Sequence, residues 1–209
     1  LIMKIKFLRN FYREDLPNLI KKNNAVGIEL GVAKGDFSKI LINSKKFSLF
    51  FGVDSYSLKH HNKKEYLTAL KKVGIFTNYK LLNMTFDDAL ELFPNNSLDF
   101  IYFDGYAHTG QNYGDTIIKW SKKLKKNGIM SGDDYDIKWE LNKEIIDNFA
   151  NDNNLEIFIT DKNKKKHLYS SWFIKVNKKI RTKKIQYSKV LKYKELIKSS
   201  KLYLPSIKK

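Results

Sequence analysis

Val26-Gly27-Ile28-Glu29-Leu30-Gly31-Val32-Ala33-Lys34-Gly35 decides how this chain folds. It is an apolar run that stops in a turn carrying two glycines, Gly31 and Gly35. A second run, Leu49-Phe50-Phe51-Gly52-Val53-Asp54, stops at a carboxylate about 20 residues further on. An open α/β sheet holds a nucleoside in this way. Glycine lets the backbone approach the ligand, and the acid accepts the ribose hydroxyls. The spacing Glu-x-Gly-x-x-x-Gly lacks the third glycine of the dinucleotide fingerprint, which argues against a nicotinamide dinucleotide.

Outward from this point the pattern alternates. Apolar runs at 25–30, 48–53, 79–84, 98–103 and 128–131 are short and nearly continuous, as in parallel strands covered on both faces. Helical patterns lie between them at 36–43, 63–73, 86–93 and 112–124, and a later one at 139–151 precedes strands at 155–160 and 168–176. The polar stretch 160–166 reads as the connection of a hairpin. These runs predict an α/β, doubly wound, Rossmann-like domain over 25–177. Residues 4–23 read as an amphipathic helix with Phe7, Phe11, Leu16, Leu19 and Ile20 apolar and Pro17 as a break, so 1–24 is expected to be a helical segment.

The 209 residues suffice for one domain with a sizeable core. There is no cysteine, which excludes disulfides, thiolate metal sites and cysteine nucleophiles. No apolar run approaches a membrane span, and the start carries no signal-peptide core, so the expected location is cytoplasmic. The net charge of +18 is uneven: residues 178–209 hold 12 Lys and Arg against one Glu, or +11. This basic tail, expected to be helical around 186–199, suits nucleic acid, anionic lipid or an acidic glycan, or is simply a solvated face. If it served the membrane, the protein would be peripheral there.

Two further strand ends carry chemistry. One reads Phe103-Asp104-Gly105-Tyr106-Ala107-His108, the other Ser131-Gly132-Asp133-Asp134-Tyr135. Asp104, Asp133 and Asp134 would meet at the carboxyl ends of neighbouring strands. Converging carboxylates repel unless protonated or neutralised, and hard oxygen ligands suit Mg²⁺, Ca²⁺ or Mn²⁺. Tyr106, Gln111, Tyr113, Tyr135 and Trp139 flank the same mouth.

Glu29-x-Gly31-x-x-x-Gly35 with Asp54 resembles motif I and the second-strand acid of class I S-adenosylmethionine (SAM) methyltransferases. Asp104-Gly105 with His108, then Trp120 and Gly132-Asp133-Asp134-Tyr135, is similar to the metal-dependent O-methyltransferases that modify sugar hydroxyls, including the macrolide-sugar type, and to the wider catechol-type group. The resemblance covers about residues 25–176. It implies a seven-stranded sheet, mostly parallel with a C-terminal antiparallel hairpin. It implies SAM held by Glu29, Gly31, Gly35, Asp54, Met84 and Thr85, with Glu29 facing the amino group and Met84 and Thr85 beside the adenine. It implies Mg²⁺ on Asp104, Asp133 and Asp134, chelated by adjacent acceptor hydroxyls, with Asp104 or His108 as catalytic base.

The pattern departs from many relatives, which read Asp-Gly-Asp-His: Tyr106 replaces the second acid and His108 lies four residues after Asp104. Similar acids also occur in cephalosporin hydroxylase-like proteins. The expected activity is methyl transfer to a hydroxyl of a nucleotide-linked sugar or surface glycan, with a homo-oligomer as a further expectation. A nucleic-acid methyltransferase and a non-catalytic membrane-surface scaffold, both motivated by the tail, are the alternatives.

Overall fold

A computed structural model describes residues 4–57, 61–162 and 168–203. The sheet holds eight strands in the order β1-β7-β8-β6-β5-β2-β3-β4. They are β1 (Lys4–Phe7), β2 (Ala25–Leu30), β3 (Phe47–Asp54), β4 (Tyr79–Asn83), β5 (Leu98–Phe103), β6 (Leu124–Tyr135), β7 (Glu156–Ile159) and β8 (Ser170–Val176). β8 runs antiparallel between β6 and β7, and the other pairings are parallel. The seven strands expected from 25 to 176 are present in this topology. The polar connection read at 160–166 runs into 163–167, which lie outside the described residues, as do 1–3 and the chain end from 204.

Alternation along β5 shows why the sheet is two-sided. Leu98, Ile101 and Phe103 join one apolar layer, and Phe100 and Tyr102 join the other. Helices α1 (Asp36–Asn43), α2 (Lys63–Val73), α3 (Phe86–Leu90), α4 (Asp115–Ser121), α5 (Glu140–Asp152) and α6 (Lys189–Tyr203) complete the chain. On α1, Phe37, Leu41 and Ile42 recur at helical spacing and are buried. Asn62 caps α2 and Thr85 caps α3, each accepting a backbone N–H of the first turn.

The N-terminal segment differs from expectation. Lys4–Phe7 is an eighth, edge strand, parallel to β7, and Arg13–Leu19 is a 3₁₀ helix containing Pro17. The alternating Lys-Ile-Lys-Phe suits a strand, and proline disfavours a regular helix there. The apolar positions still serve the core: Leu16 and Ile20 are buried with α1, whereas Phe7 is exposed. The expected helix over 112–124 is also shortened, because 110–113 turns the other way and β6 begins at Leu124.

The basic C-terminal segment returns over the domain. Ile185 is buried in the same apolar layer as Trp120 and Phe149, and Ser188 N–H donates to the Glu144 carboxylate at 3.1 Å. α6 packs on α5 and on the short 3₁₀ turn Ala107–Thr109. No helix among the described residues is long and apolar enough to cross a membrane.

Candidate active site

The strand order reverses between β2 and β5, and open α/β sheets bind ligands outside such a switch point. Asp104 N–H donates to Leu30 O at 2.8 Å, which ties the two strand ends together. Gly31, at φ +100°, sits so close that a Cβ would lie 2.5 Å from the Asp104 carbonyl oxygen. Asp54 shapes the glycine turn from the other side. Its Oδ2 accepts Val32 N–H and Ala33 N–H, and its Oδ1 accepts Tyr56 N–H, all at 3.0 Å. Both lone pairs of Oδ2 are thus taken, and Oδ1 keeps one that can accept a ribose hydroxyl. Gly35, at φ +76°, turns the chain into α1.

A cavity of about 440 Å³ opens here, lined among others by Gly31, Asp54, Thr85, Asp104, His108 and Asp134. That volume is within the range of small-molecule sites. Met84 instead packs against the apolar layer of β5. Beside the cavity lies a smaller one of about 280 Å³, lined by Arg13, Glu29, Lys34 and Asp104. The two share Val32, Ala33 and Asp104. Glu29 thus faces the site from behind the glycine turn.

Glu29 is 1% exposed, and its Oε2 accepts the Ser38 hydroxyl, which also pairs with Tyr79 at 3.1 Å. Burial pushes its carboxyl up to about 8, while Ser38 and Arg13 pull it down. The folded protein therefore holds a proton that the unfolded chain has released above about 4.5. Stability from this group falls as pH rises from about 4.5 through 8. Glu29→Gln, which keeps the acceptor for Ser38, is expected to flatten the fall in Tm between pH 5 and pH 9. Thermal denaturation across that range checks it: an unchanged slope would contradict a protonated Glu29.

At the mouth, Arg13 joins the acids of two strands. Its Nη2 meets Asp104 Oδ2 at 2.6 Å and its Nη1 meets Asp133 Oδ2 at 2.8 Å. The guanidinium stacks 4.0 Å from the Phe37 ring centroid and 5.0 Å from that of Tyr102. Burial opposes its charge, but the surrounding acidic groups outweigh this and raise its pKa. Burial pushes Asp104 up while Arg13 draws it back. Asp133 Oδ1 accepts the Ser171 hydroxyl at 2.9 Å. Asp134 is pushed up to about 8 by burial and by the charges of Asp133 and Asp104, while Arg13 draws it back. His108 stands edge-on to Trp139, with 4.6 Å between centroids.

Among the described residues, no three His, Cys, Asp or Glu side chains form a group that could hold a metal ion. Asp104, Asp133 and Asp134 come to one mouth but not into a chelating set. The first two each give an oxygen to Arg13, and the third lies outside that bridge. The residues present do not fit the expected Mg²⁺.

The turn after Thr109, the last residue of this loop to line the cavity, is strained. Gly110, Gln111, Asn112, Tyr113 and Gly114 all have positive φ, between 52° and 88°. Such a left-handed turn costs about 1–2 kcal/mol for each non-glycine residue and persists only where the surroundings impose it. Here the buried Gln111 donates to Asn142 Oδ1 at 3.2 Å, and Asn142 Nδ2 donates to Asp134 O at 3.1 Å. Tyr113 stacks on Tyr187 of the C-terminal segment, and Lys192 lies 4.3 Å from its ring centroid. Gln111 and Tyr113 therefore hold this turn and do not line the cavity. Tyr135 donates to Asp147 at 2.5 Å in the core. Tyr106, 43% exposed, and Trp139 remain at the mouth. Arg13, Ser38, Asn142 and Ser171 belong to the site and carry no local sequence signal.

The fold is that of class I SAM-dependent methyltransferases. A family profile described as "Methyltransferase domain" matches residues 28–135, slightly over half of the chain, and the chain belongs to that family. Among solved structures it is similar to cofactor-bound Rv0187 from MTB, with 9% identity over 81% of this chain and 85% of that one, and a TM-score of 0.60. A protein assigned as an O-methyltransferase from Klebsiella pneumoniae has 14% identity, 79% coverage of each chain and a TM-score of 0.60. SMU.1697c from Streptococcus mutans, assigned as a methyltransferase and in complex with SAH, has 13% identity, 80% and 99% coverage and a TM-score of 0.58. Identities this low speak to the fold alone. No curated protein matches significantly.

Proposed function

We propose that the chain transfers a methyl group from SAM to a hydroxyl of a sugar, in a nucleotide-linked sugar or a surface glycan. One observation carries the reading: the glycine turn with its acid and a group of proton-accepting side chains line a single cavity. SAM would supply an electrophilic methyl on sulfur. Asp54 and the backbone at Gly31 would hold its ribose, and Thr85 its adenine side. Glu29 would give up its proton on meeting the ammonium.

An alcohol attacks poorly until its proton leaves, and a side chain titrating near working pH suits that task. Asp134 is such a group and lines the cavity, with Asp104 and His108 alongside. In-line placement of acceptor and donor supplies much of the remaining acceleration. The exposed ring of Tyr106 and the half-buried ring of Trp139 offer flat surfaces for a sugar, which supports the acceptor class.

Calorimetric titration of SAM into wild type and Asp54→Ala tests the donor. Binding weakened by about 10–100-fold in the variant is expected, since ribose hydrogen bonds to a carboxylate and the turn itself are lost. Absence of SAM binding by wild type would sink the reading. Label transfer from methyl-labelled SAM to a panel of nucleotide sugars, oligosaccharides and RNA then tests the acceptor. Labelling of RNA alone would move it to a nucleic acid.

A further inference from the structure

We infer that Arg13 is the resident cation of this site and takes the position of a divalent metal ion, so that methyl transfer here is metal-independent. The transfer itself rests on the function proposed above. The position of the cation does not.

Three observations converge. Arg13 bridges Asp104 and Asp133 at 2.6 and 2.8 Å, a forked guanidinium set between two carboxylates. It is held there from outside the carboxylates: it packs against the adjoining Phe37 and Tyr102 rings, and its side chain is only 11% exposed. Its backbone is fixed as well, because the 3₁₀ helix that carries it is anchored by the buried Leu16 and Pro17. The remaining oxygen of Asp133 is taken by Ser171.

A magnesium ion demands near-octahedral oxygen ligands at about 2.0–2.1 Å. To enter, it would have to strip both carboxylates from a guanidinium and then sit beside a fixed positive charge. Arg13 already does what a metal would do for the acids: it lets Asp104 and Asp133 lie side by side without repulsion. Arginine does so at every working pH, because it does not lose its proton. Asp134, which lies outside the bridge, is left as the carboxyl free to exchange a proton.

The test uses the full chain and needs no acceptor. Mn²⁺ binding is followed by electron paramagnetic resonance and Mg²⁺ binding by calorimetry, on wild type, Arg13→Met and Arg13→Met/Asp133→Asn. Wild type is expected to bind neither ion with a Kd below about 1 mM, the weak end of biological Ca²⁺ and Mg²⁺-type sites. Its SAM affinity should be unchanged by EDTA. Arg13→Met, which keeps an apolar stem against the two rings, should gain Mn²⁺ affinity by at least about tenfold, and the double variant should lose that gain. A merely structural ion pair would destabilise on mutation but create no Mn²⁺ signal. Should Arg13→Met fail to fold, the wild-type titrations decide. Saturable micromolar Mn²⁺ binding by wild type that Asp104→Asn abolishes overturns the inference, as does SAM binding that EDTA removes. Loss of SAM binding under every condition would sink the proposed function and leave the metal result standing.

Discussion

Gly31→Ala is expected to abolish SAM binding and to lower stability by about 2–4 kcal/mol. The backbone at Gly31 has φ +100°, which costs an L-residue about 1–3 kcal/mol. The added methyl would also lie 2.5 Å from Asp104 O and 2.7 Å from Asp104 C, both backbone atoms that cannot swing aside. Relief requires parting β2 from β5, which breaks the Asp104 N–H to Leu30 O bond and moves the carboxylate that Arg13 grips. Calorimetry with SAM and thermal denaturation check both halves. Gly35→Ala is the control, because its Cβ would meet nothing nearer than 3.4 Å and only the backbone penalty applies. Retained SAM affinity in Gly31→Ala would show that the close approach of β2 and β5 is not what forms the cofactor crevice.

Asp134→Asn is expected to lower kcat by about 10²–10⁴-fold while leaving SAM affinity near that of wild type, the range for loss of a general base. The substitution is clean, because residue 134 has φ +58° and asparagine tolerates the left-handed region. A base works when ionised. With Asp134 pushed up to about 8, the wild-type rate should climb with pH through about 8 and level off above it. In Asp134→Asn that inflection should vanish. Rates on the acceptor found by label transfer check it. If the inflection survives in Asp134→Asn and disappears in a His108 variant, the proton goes to His108.

The strands of the catalytic half were legible because they are buried on both faces. Runs such as Val26–Leu30 and Leu49–Val53 leave few alternatives once flanked by helical patterns and glycine turns. The cofactor turn was legible for the same reason: Gly31 and Asp54 each end such a run. The N-terminus misled because four residues, Lys4–Phe7, are too few to show a period, and the apolar spacing through Phe11, Leu16 and Ile20 imitates a helix. Their pairing partner, β7, lies some 150 positions away. The left-handed turn had a local hint in Gly110 and Gly114. Of the three residues between them only Asn112 favours that region, and the turn is held by Asn142 and Tyr187, which are distant in the chain.

By itself, then, the sequence determined the doubly wound sheet, the place of the glycine turn and the acids at its strand ends, because each follows from burial and spacing within a few residues. The tertiary structure alone decided what those acids do. Arg13 lies 91 residues from Asp104 and 120 from Asp133, and nothing in its neighbours marks it. Only when the 3₁₀ helix docks against α1 and β5 does a guanidinium arrive between the two carboxylates, and a set of acids that reads as a metal site becomes an ion pair with one carboxyl left over. Charges interact through space, and their neighbours are chosen by the packing of the whole chain.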